Sequence, residues 1–114
     1  MARTTLPRQP ELSRAQIAMH RALLEQQREF RIEQIAQLRL PAAGPQTGAD
    51  AEIVTSLLTG ARAALLDIRA ALRRIDEGNY GRCTSCDGPV GAARLEILPH
   101  AARCLHCEHV VRSG

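Results

Sequence analysis

The sequence contains no tryptophan and no lysine, and it has only one phenylalanine and one tyrosine among its 114 residues. Its apolar residues, 45% of the chain, are therefore mostly alanine and leucine. Such a composition suits helices that approach one another closely, and it does not suit a thick globular core. No apolar run comes near the roughly 20 residues that a bilayer-spanning helix needs. We therefore expect a small soluble protein with no membrane partner.

All 15 basic residues are arginines, yet the formal net charge is only +3. Guanidinium groups suit carboxylate and phosphate recognition, but so small a net charge does not by itself indicate nucleic-acid binding. Near the C-terminus the basic and acidic side chains nearly balance, and Tyr80 is the only aromatic residue there that could stack on a base. We therefore expect no direct nucleic-acid binding. The balancing residues are Arg82, Arg94, Arg103 and Arg112 with Asp87, Glu96 and Glu108.

The four cysteines form two C-x2-C pairs, Cys83 with Cys86 and Cys104 with Cys107. This spacing is typical of one tetrahedral zinc site and less typical of a disulfide scaffold, which is the competing interpretation. Four thiolates fill the coordination sphere, so we predict one structural Zn²⁺ with no position for water or substrate. We interpret His100, His106 and His109 as surface or supporting groups.

The N-terminal residues lack the apolar run of a secretory signal, so we expect a cytoplasmic, reducing environment in which thiols stay available for metal. The sequence has no G-x-S-x-G and no P-loop. His20 has no nucleophile near it in sequence, and we interpret it as a partly exposed helical residue. We do not expect an enzyme.

A first helix is predicted over about 13–38, after a flexible lead-in over 1–12 that carries Pro7 and Pro10. Ser13 followed by Gln16 has the form of a capping box, and no glycine or proline interrupts the residues that follow. The apolar positions of this helix fit no single heptad register, so its packing face is not defined by the pattern. A tip loop is predicted over 39–49, because two prolines and two glycines fall within nine of these residues.

The second helix, predicted over about 50–77, has the clearest periodicity, and Asp50 is placed to be its N-cap. Its apolar residues advance by alternating steps of four and three, which is the 3.5-residue repeat of a coiled-coil seam. Gly78 is placed to end the helix. The seam residues are Val54, Leu58, Ala61, Leu65, Ile68, Leu72 and Ile75.

Two long helices of similar length joined by a short turn favour an antiparallel hairpin over 13–78. We favour a monomer, and a homodimeric coiled coil is the remaining alternative. Residues 79–114 then form a small finger and a short tail. Asp87-Gly88 predicts a turn with a return strand, the stretch 94–99 would cover the metal, and 108–111 would add no more than one helical turn. The fold class is mainly α, an antiparallel two-helix coiled-coil hairpin followed by a small four-cysteine, zinc-ribbon-like finger.

Several short motifs of the finger occur together: Gly78-Asn79-Tyr80-Gly81-Arg82-Cys83, Asp87-Gly88, Arg94-Leu95-Glu96, Pro99 and the pair Cys104 and Cys107. With these motifs the finger resembles the DksA/TraR-type zinc finger family. The resemblance implies a transcription regulator that binds bacterial RNA polymerase and inserts its hairpin into the secondary channel to modulate initiation. It also implies ppGpp as a ligand of the complex, since some members act together with that alarmone.

The resemblance further implies that the hairpin tip contacts the partner. Well-studied members carry D-x-x-D-x-A there, and the matching frame in this chain runs from Thr47 to Glu52. Asp50 stands at the second acidic position, Thr47 at the first, and Glu52 where alanine is found, so these three are the candidate tip residues. A structural adaptor that binds another protein through its coiled coil is the first alternative function. A DNA-binding zinc module is the second.

Overall fold

The structure, a computed structural model, describes residues 12–41, 44 and 47–113. It contains four helices: α1 (Arg14–Leu38), α2 (Gly48–Glu77), α3 (Ala92–Ile97) and α4 (Leu105–Ser113). Most of the predicted lead-in and four residues of the predicted tip loop lie outside the described residues. None of the described helices is both long and apolar enough to cross a membrane.

Helices α1 and α2 pack along each other as an antiparallel pair. Near the start of α1 the Arg21 side chain donates a hydrogen bond to Asp76, near the end of α2, with an Nη2–Oδ1 distance of 2.7 Å. At 1.5 Å per residue, the 30 residues of α2 make a rod about 45 Å long. The predicted fold class is confirmed: the chain is mainly helical, with a two-helix hairpin that precedes a small finger.

The coiled-coil seam predicted in α2 faces α1. Its central members are buried, and the flanking Ala71 is buried with them. Leu24 of α1 packs into this core with no exposed surface, against Ile68, Ala71 and Leu72. The buried seam residues are Ala61, Leu65, Ile68 and Leu72.

The face of α1 that packs on α2 includes three arginines. This explains why the apolar residues of α1 alone fit no single heptad register. Its inward positions also step by four and three, and every one of them is buried or half-buried. Arginine at such positions packs its aliphatic stem against the partner helix while the guanidinium reaches the edge. The inward positions are Ile17, Arg21, Leu24, Arg28, Arg31, Ile35 and Leu38.

The expectation that His20 is a partly exposed helical residue was wrong, because its side chain is only 4% exposed at the base of the hairpin.

The ends of both long helices are defined by specific caps. Ser13 and Gln16 form the predicted capping box of α1. Helix α2 begins earlier than expected, at Gly48, so the interpretation of Asp50 as its N-cap was wrong. Thr47 is the cap, and Asp50 closes a reciprocal capping box from the third helical position. Gly78 ends α2 with φ of 80°, a left-handed conformation that favours glycine, and this confirms its predicted role.

Gly60 lies in the middle of α2, where a Cβ would meet no atom within 4 Å. Because glycine in a helix interior costs about 1 kcal/mol relative to alanine, we expect Gly60→Ala to stabilise the hairpin by up to that amount. In thermal denaturation followed by circular dichroism, the midpoint should rise by about 4–8 °C. Ala63→Gly, an exposed position in the next turn, is the matched reverse change and should lower the midpoint. A Gly60→Ala protein that melts at or below the wild-type temperature would contradict this expectation.

The finger is built from turns and short helices. Arg82 pairs with Pro89 through one isolated bridge, and the described residues contain no strand, so the predicted return strand was wrong. The residues that follow this bridge form α3. Leu95 in α3 is buried but Ile97 is 79% exposed, so only part of the stretch 94–99 covers the cysteines. The C-terminal helix α4 has nine residues, more than the single turn that was expected.

Candidate metal centre

The four cysteine sulfurs converge on one point of the finger. All four Sγ atoms lie within 4.8 Å of one another, and the Sγ atoms of Cys86 and Cys104 are 3.9 Å apart. A tetrahedron with Zn–S bonds of about 2.3 Å has sulfur–sulfur edges of about 3.8 Å. A disulfide needs about 2.05 Å, and all four cysteines are free thiols. The cluster therefore fits a tetrahedral thiolate-bound metal and does not fit the competing disulfide interpretation.

The first pair is presented by a tight turn. The backbone N–H of Cys83 donates to the carbonyl of Gly88 at 2.7 Å, and the N–H of Asp87 donates to the carbonyl of Cys83 at 2.9 Å. Asp87 has a φ of 62°, a left-handed conformation that aspartate tolerates better than most residues. This turn explains the Asp87-Gly88 sequence that follows the first pair.

The second pair lies at the start of α4. Cys104 immediately precedes the helix, its carbonyl accepts from the N–H of Glu108, and its Sγ accepts from the N–H of Cys107 at 3.4 Å. The N–H of Thr84 donates to the carbonyl of Ala102 at 2.9 Å, which joins the two turns. Backbone hydrogen bonds therefore hold both cysteine pairs in place. The residues between the pairs connect the two turns.

A small apolar cluster supports the cysteines. Cys83, only 2% exposed, packs with Val90, Leu95 and Ala101. Leu12, which precedes α1, packs against the same cluster, so the start of the described chain belongs to the finger's core. Four buried residues of this size bury little apolar surface, and a bound metal would add the folding free energy that they lack.

Cys83 and Cys107 have pKa values displaced in opposite directions. Burial opposes ionisation of Cys83, but the backbone N–H groups of Cys104, Cys86 and Ser85 together outweigh it and lower its pKa to about 6. The hydrogen bond with Cys104, followed by burial, raises the pKa of Cys107 to about 12. Neighbouring thiols cannot all ionise without a cation between them. The donor set therefore calls for a positive charge at its centre, as a divalent metal supplies.

Three of the four arginines around the cysteines form ion pairs, and the fourth, Arg94, donates from Nε to the carbonyl of Arg103 at 3.1 Å. Arg103 donates to Glu108 at 2.8 Å and Arg112 donates to the same carboxylate at 3.1 Å. These contacts hold the pKa of Glu108 below its usual range, with Arg103 the larger cause. Arg82 lies 3.4 Å from Asp87.

The three histidines near the cysteines do not enter the cluster. Within the described residues, the group that could hold a metal consists of the four cysteines alone. His106 and His109 are exposed on α4, and His100 is half-buried. A search for ligands by residue type would have included them, whereas the spacing of the cysteine pairs points to the four thiols alone.

Tyr80 joins the hairpin to the finger, a role that the sequence interpretation missed. Its ring packs against both apolar clusters, that of the hairpin base and that of the cysteines. Its hydroxyl donates to the carbonyl of Pro99 at 2.8 Å, and the His20 ring lies 6.0 Å away, centroid to centroid. Burial raises the pKa of Tyr80 to about 12, against a smaller lowering by Arg74. The signal available in the sequence was the position of the lone tyrosine between Gly78 and the first cysteine.

Arg74 makes a second polar link across the same joint. Its Nη2 donates to the carbonyl of His100 at 3.3 Å, one residue beyond the carbonyl that Tyr80 bonds. Burial lowers the pKa of the Arg74 guanidinium, as expected for a cation that is partly removed from water. The loop over 99–100 is therefore tied to the base of α2 at two adjacent carbonyls.

The three candidate tip residues lie at the opposite end of the hairpin from the cysteines. The Thr47 N–H and hydroxyl both donate to Asp50 Oδ2, at 3.1 and 3.0 Å, and the Asp50 N–H donates to the Thr47 hydroxyl. The backbone and then the side chain of Thr47 lower the pKa of Asp50, so this carboxyl stays ionised at neutral pH. Glu52, two residues after Asp50, is exposed. The structure thus places Thr47 and Asp50 in contact, and Glu52 beside them.

Known proteins share both the finger and the hairpin. Residues 78–111 match the family described as "Prokaryotic dksA/traR C4-type zinc finger". Over 47 residues the chain is 38% identical to the "RNA polymerase-binding transcription factor DksA" of Caulobacter vibrioides (strain NA1000 / CB15N). It is 36% identical, again over 47 residues, to the protein of the same name from Buchnera aphidicola subsp. Acyrthosiphon pisum (strain APS).

The matched stretch is 41% of this chain but spans only about a third of the length of these relatives, 33% and 31%. The likeness of fold extends further. The solved structure of transcription factor DksA2 from Pseudomonas aeruginosa superposes with a TM-score of 0.64 at 26% identity, covering 89% of this chain and 86% of that one. The finger over 78–111 therefore matches the DksA/TraR-type zinc finger, and the hairpin and finger together resemble the fold of DksA2.

Proposed function

We propose that this protein is a transcription regulator that binds bacterial RNA polymerase and inserts its hairpin into the secondary channel to modulate initiation. The observation that carries the proposal is the combination, on one chain, of this type of finger with a two-helix rod about 45 Å long. A rod of that length is a geometry for reaching into a deep cavity. The names of the relatives, which call them RNA polymerase-binding transcription factors, support the same partner.

The proposed cofactor is one structural Zn²⁺ held by Cys83, Cys86, Cys104 and Cys107. When bound, the ion supplies four metal–sulfur bonds and no catalytic chemistry, because the thiolates fill its coordination sphere. The finger would then orient the hairpin: its core contacts Tyr80, and the loop over 99–100 is bonded to Tyr80 and Arg74. The protein acts by shifting the states of its partner, and it carries out no reaction of its own.

The proposed partner contact lies at the tip, at Thr47, Asp50 and Glu52. Asp50 has two roles in this account, since it closes the capping box of α2 and presents an ionised carboxylate at the end of the rod. A carboxylate at the entrance to the active centre can alter the position of metal-bound or basic groups there. The proposal includes ppGpp as a ligand of the complex and treats the protein as a cytoplasmic monomer.

The test separates binding from effect. Asp50→Asn with Glu52→Gln keeps the shape of both side chains and removes both charges. The variant should be retained by immobilised core RNA polymerase about as well as the wild type, and should lose about tenfold in its effect on transcription in vitro. Glu77→Gln, an exposed change at the far end of α2, is the matched control and should have no effect. The same transcription assay, run with and without added ppGpp, tests whether the effect of the protein depends on this alarmone.

Three results would favour other functions. Failure of the wild type to be retained by polymerase would favour an adaptor for another protein. Salt-sensitive binding to duplex DNA in the absence of polymerase would favour a DNA-binding module. A charge-neutral tip that keeps the full transcriptional effect would limit Asp50 to its capping role.

A further inference from the structure

The two long helices carry a second set of apolar positions that no residue of the described chain covers. In α2, Ile53, Leu57, Gly60 and Ala64 step by four, three and four, beside the buried seam. Leu57 is 48% exposed. In α1, Leu23 and Phe30 are seven residues apart and therefore share a face, and Phe30 is 64% exposed. A repeat of this spacing is the pattern of a helix face that packs on another surface.

These positions lie on the same side of the hairpin and continue into the finger. One groove of about 500 Å³ is lined by Phe30 of α1, Ala64 of α2, and Ile97 and Leu98 of the finger, together with Gln27 and other neighbours. Among the described residues that line it, Arg31 is the only arginine or carboxylate, and it is already engaged with Gln34 at 2.9 Å and stacked over Phe30. We call this surface the uncharged side; it is bounded by the exposed Asp67, three residues after Ala64, and its members are Leu23, Phe30, Ile53, Leu57, Gly60, Ala64, Ile97 and Leu98.

The other side of the hairpin carries more arginines than carboxylates, and Asp76 and Glu29 pair with two of those arginines. The contact between Arg21 and Asp76 identifies it, because these side chains meet across the helices there. Residues at seven-residue spacing from them share this face: Arg28 in α1, and Arg69 and Arg62 in α2. Among the described residues, Arg62, Arg69 and Arg73 make no ion pair and no side-chain hydrogen bond. We call this surface the arginine side; its members are Arg21, Arg28, Arg62, Arg69 and Arg73.

The two sides differ in what it costs to remove them from water. Covering the arginine side would bury several guanidinium groups that have no carboxylate partner within the described chain, which costs free energy unless the partner supplies one for each. Covering the uncharged side removes apolar surface from water and gains free energy. Its six large apolar side chains expose on the order of 500 Å² together, at the upper end of what single chains leave uncovered. At Gly60 the surface is open, with no atom within 4 Å of where a Cβ would lie.

We propose that the hairpin docks on RNA polymerase through its uncharged side, so that an apolar surface of the enzyme covers Phe30, Leu57 and Ile97 while the arginine side remains in solvent. This inference rests on the proposed function, since a rod that enters a channel must lay one side against its wall. The inference adds to the proposed function the rotation of the hairpin about its long axis, that is, which side faces the enzyme. The tip residues determine the effect on the enzyme, and the uncharged side supplies affinity.

The test compares two leucines of α2. Leu57→Glu places a charge in the middle of the uncharged side, and Leu66→Glu makes the same change at a residue that is 67% exposed on the opposite face, next to Arg62 and Arg69. Both positions are exposed, so both variants should keep wild-type helicity by circular dichroism. Their affinities for core RNA polymerase are measured by fluorescence anisotropy of a labelled chain at fixed salt, and their masses by light scattering.

Leu57→Glu should weaken binding at least about tenfold, whereas Leu66→Glu should stay within about twofold of the wild type. Equal affinities of Leu57→Glu and wild type would overturn the docking side while leaving the proposed function intact. A wild-type chain that is dimeric, and that Leu57→Glu makes monomeric, would also overturn it, because a second copy would then be the occupant. A wild type with no affinity for polymerase would reject the proposed function itself, and the docking side with it.

Discussion

Cys83→Ser is expected to unfold the finger. Cys83 is buried in the finger's core and belongs to the cluster of thiols that would hold the metal. Structural zinc contributes about 10–16 kcal/mol of apparent binding free energy at neutral pH, far more than a cluster of four small side chains provides. Loss of one ligand should therefore release the ion and melt α3 and α4, which contain 6 and 9 helical residues. Helices α1 and α2 should persist, with fraying at the base.

The measurement combines metal content with helicity. Wild-type protein should release one equivalent of zinc to a chromogenic chelator on denaturation, and Cys83→Ser should release almost none. Ser85→Ala is the matched control, because Ser85 lies between the two ligands of the first pair but its side chain is exposed and bonds no other described residue. A Cys83→Ser protein with a full equivalent of zinc and an unchanged melting curve would rule out the structural role of the metal.

Tyr80→Ala is expected to separate the finger from the hairpin. The Tyr80 ring contacts both apolar clusters, so its removal leaves a gap at the joint between them. Truncation of a large aromatic residue in a core costs about 3–5 kcal/mol, and we expect about 3 kcal/mol here because Tyr80 is only half-buried. The finger should remain folded around its metal, but its orientation relative to α2 should no longer be fixed.

Residual dipolar couplings measured by NMR report that orientation directly. In the wild type, α2 and α4 should fit a single alignment tensor, and in Tyr80→Ala they should need two. Tyr80→Phe is the control, because it removes only the hydrogen bond to the Pro99 carbonyl, worth about 1 kcal/mol, and keeps the ring. One shared tensor in Tyr80→Ala would show that Arg74 and the remaining contacts hold the joint alone.

The features that could be predicted from the sequence are those that depend on local spacing. The two cysteine pairs predicted a four-thiol cluster because a C-x2-C turn can present its sulfurs in few ways. The 3.5-residue repeat of α2 predicted its buried face because apolar residues occupy nearly all of its seam. Gly78 predicted the end of α2 because few other residues adopt its left-handed conformation.

The features that the sequence did not reveal depend on tertiary contacts, or on residue types that can occupy more than one structural position. The inward face of α1 includes Arg21, Arg28 and Arg31, and a search for apolar residues cannot detect an arginine whose stem is packed. His20 is buried because Tyr80, sixty residues later, packs against it. The sequence does not distinguish Thr47 from Asp50 as the cap, because both are good capping residues, and only the geometry shows that Thr47 precedes the helix.

The central claim is that the tip of the hairpin reaches the active centre of RNA polymerase, and crosslinking tests it most directly. A photoreactive amino acid at position 51, which is exposed beside Asp50, leaves the capping box intact. With core polymerase, it should crosslink to residues that line the channel near the catalytic metal, whereas the same group at position 85 in the finger should crosslink only at the outer surface. Crosslinks from position 51 to the outer surface, or none from either position, would contradict the claim.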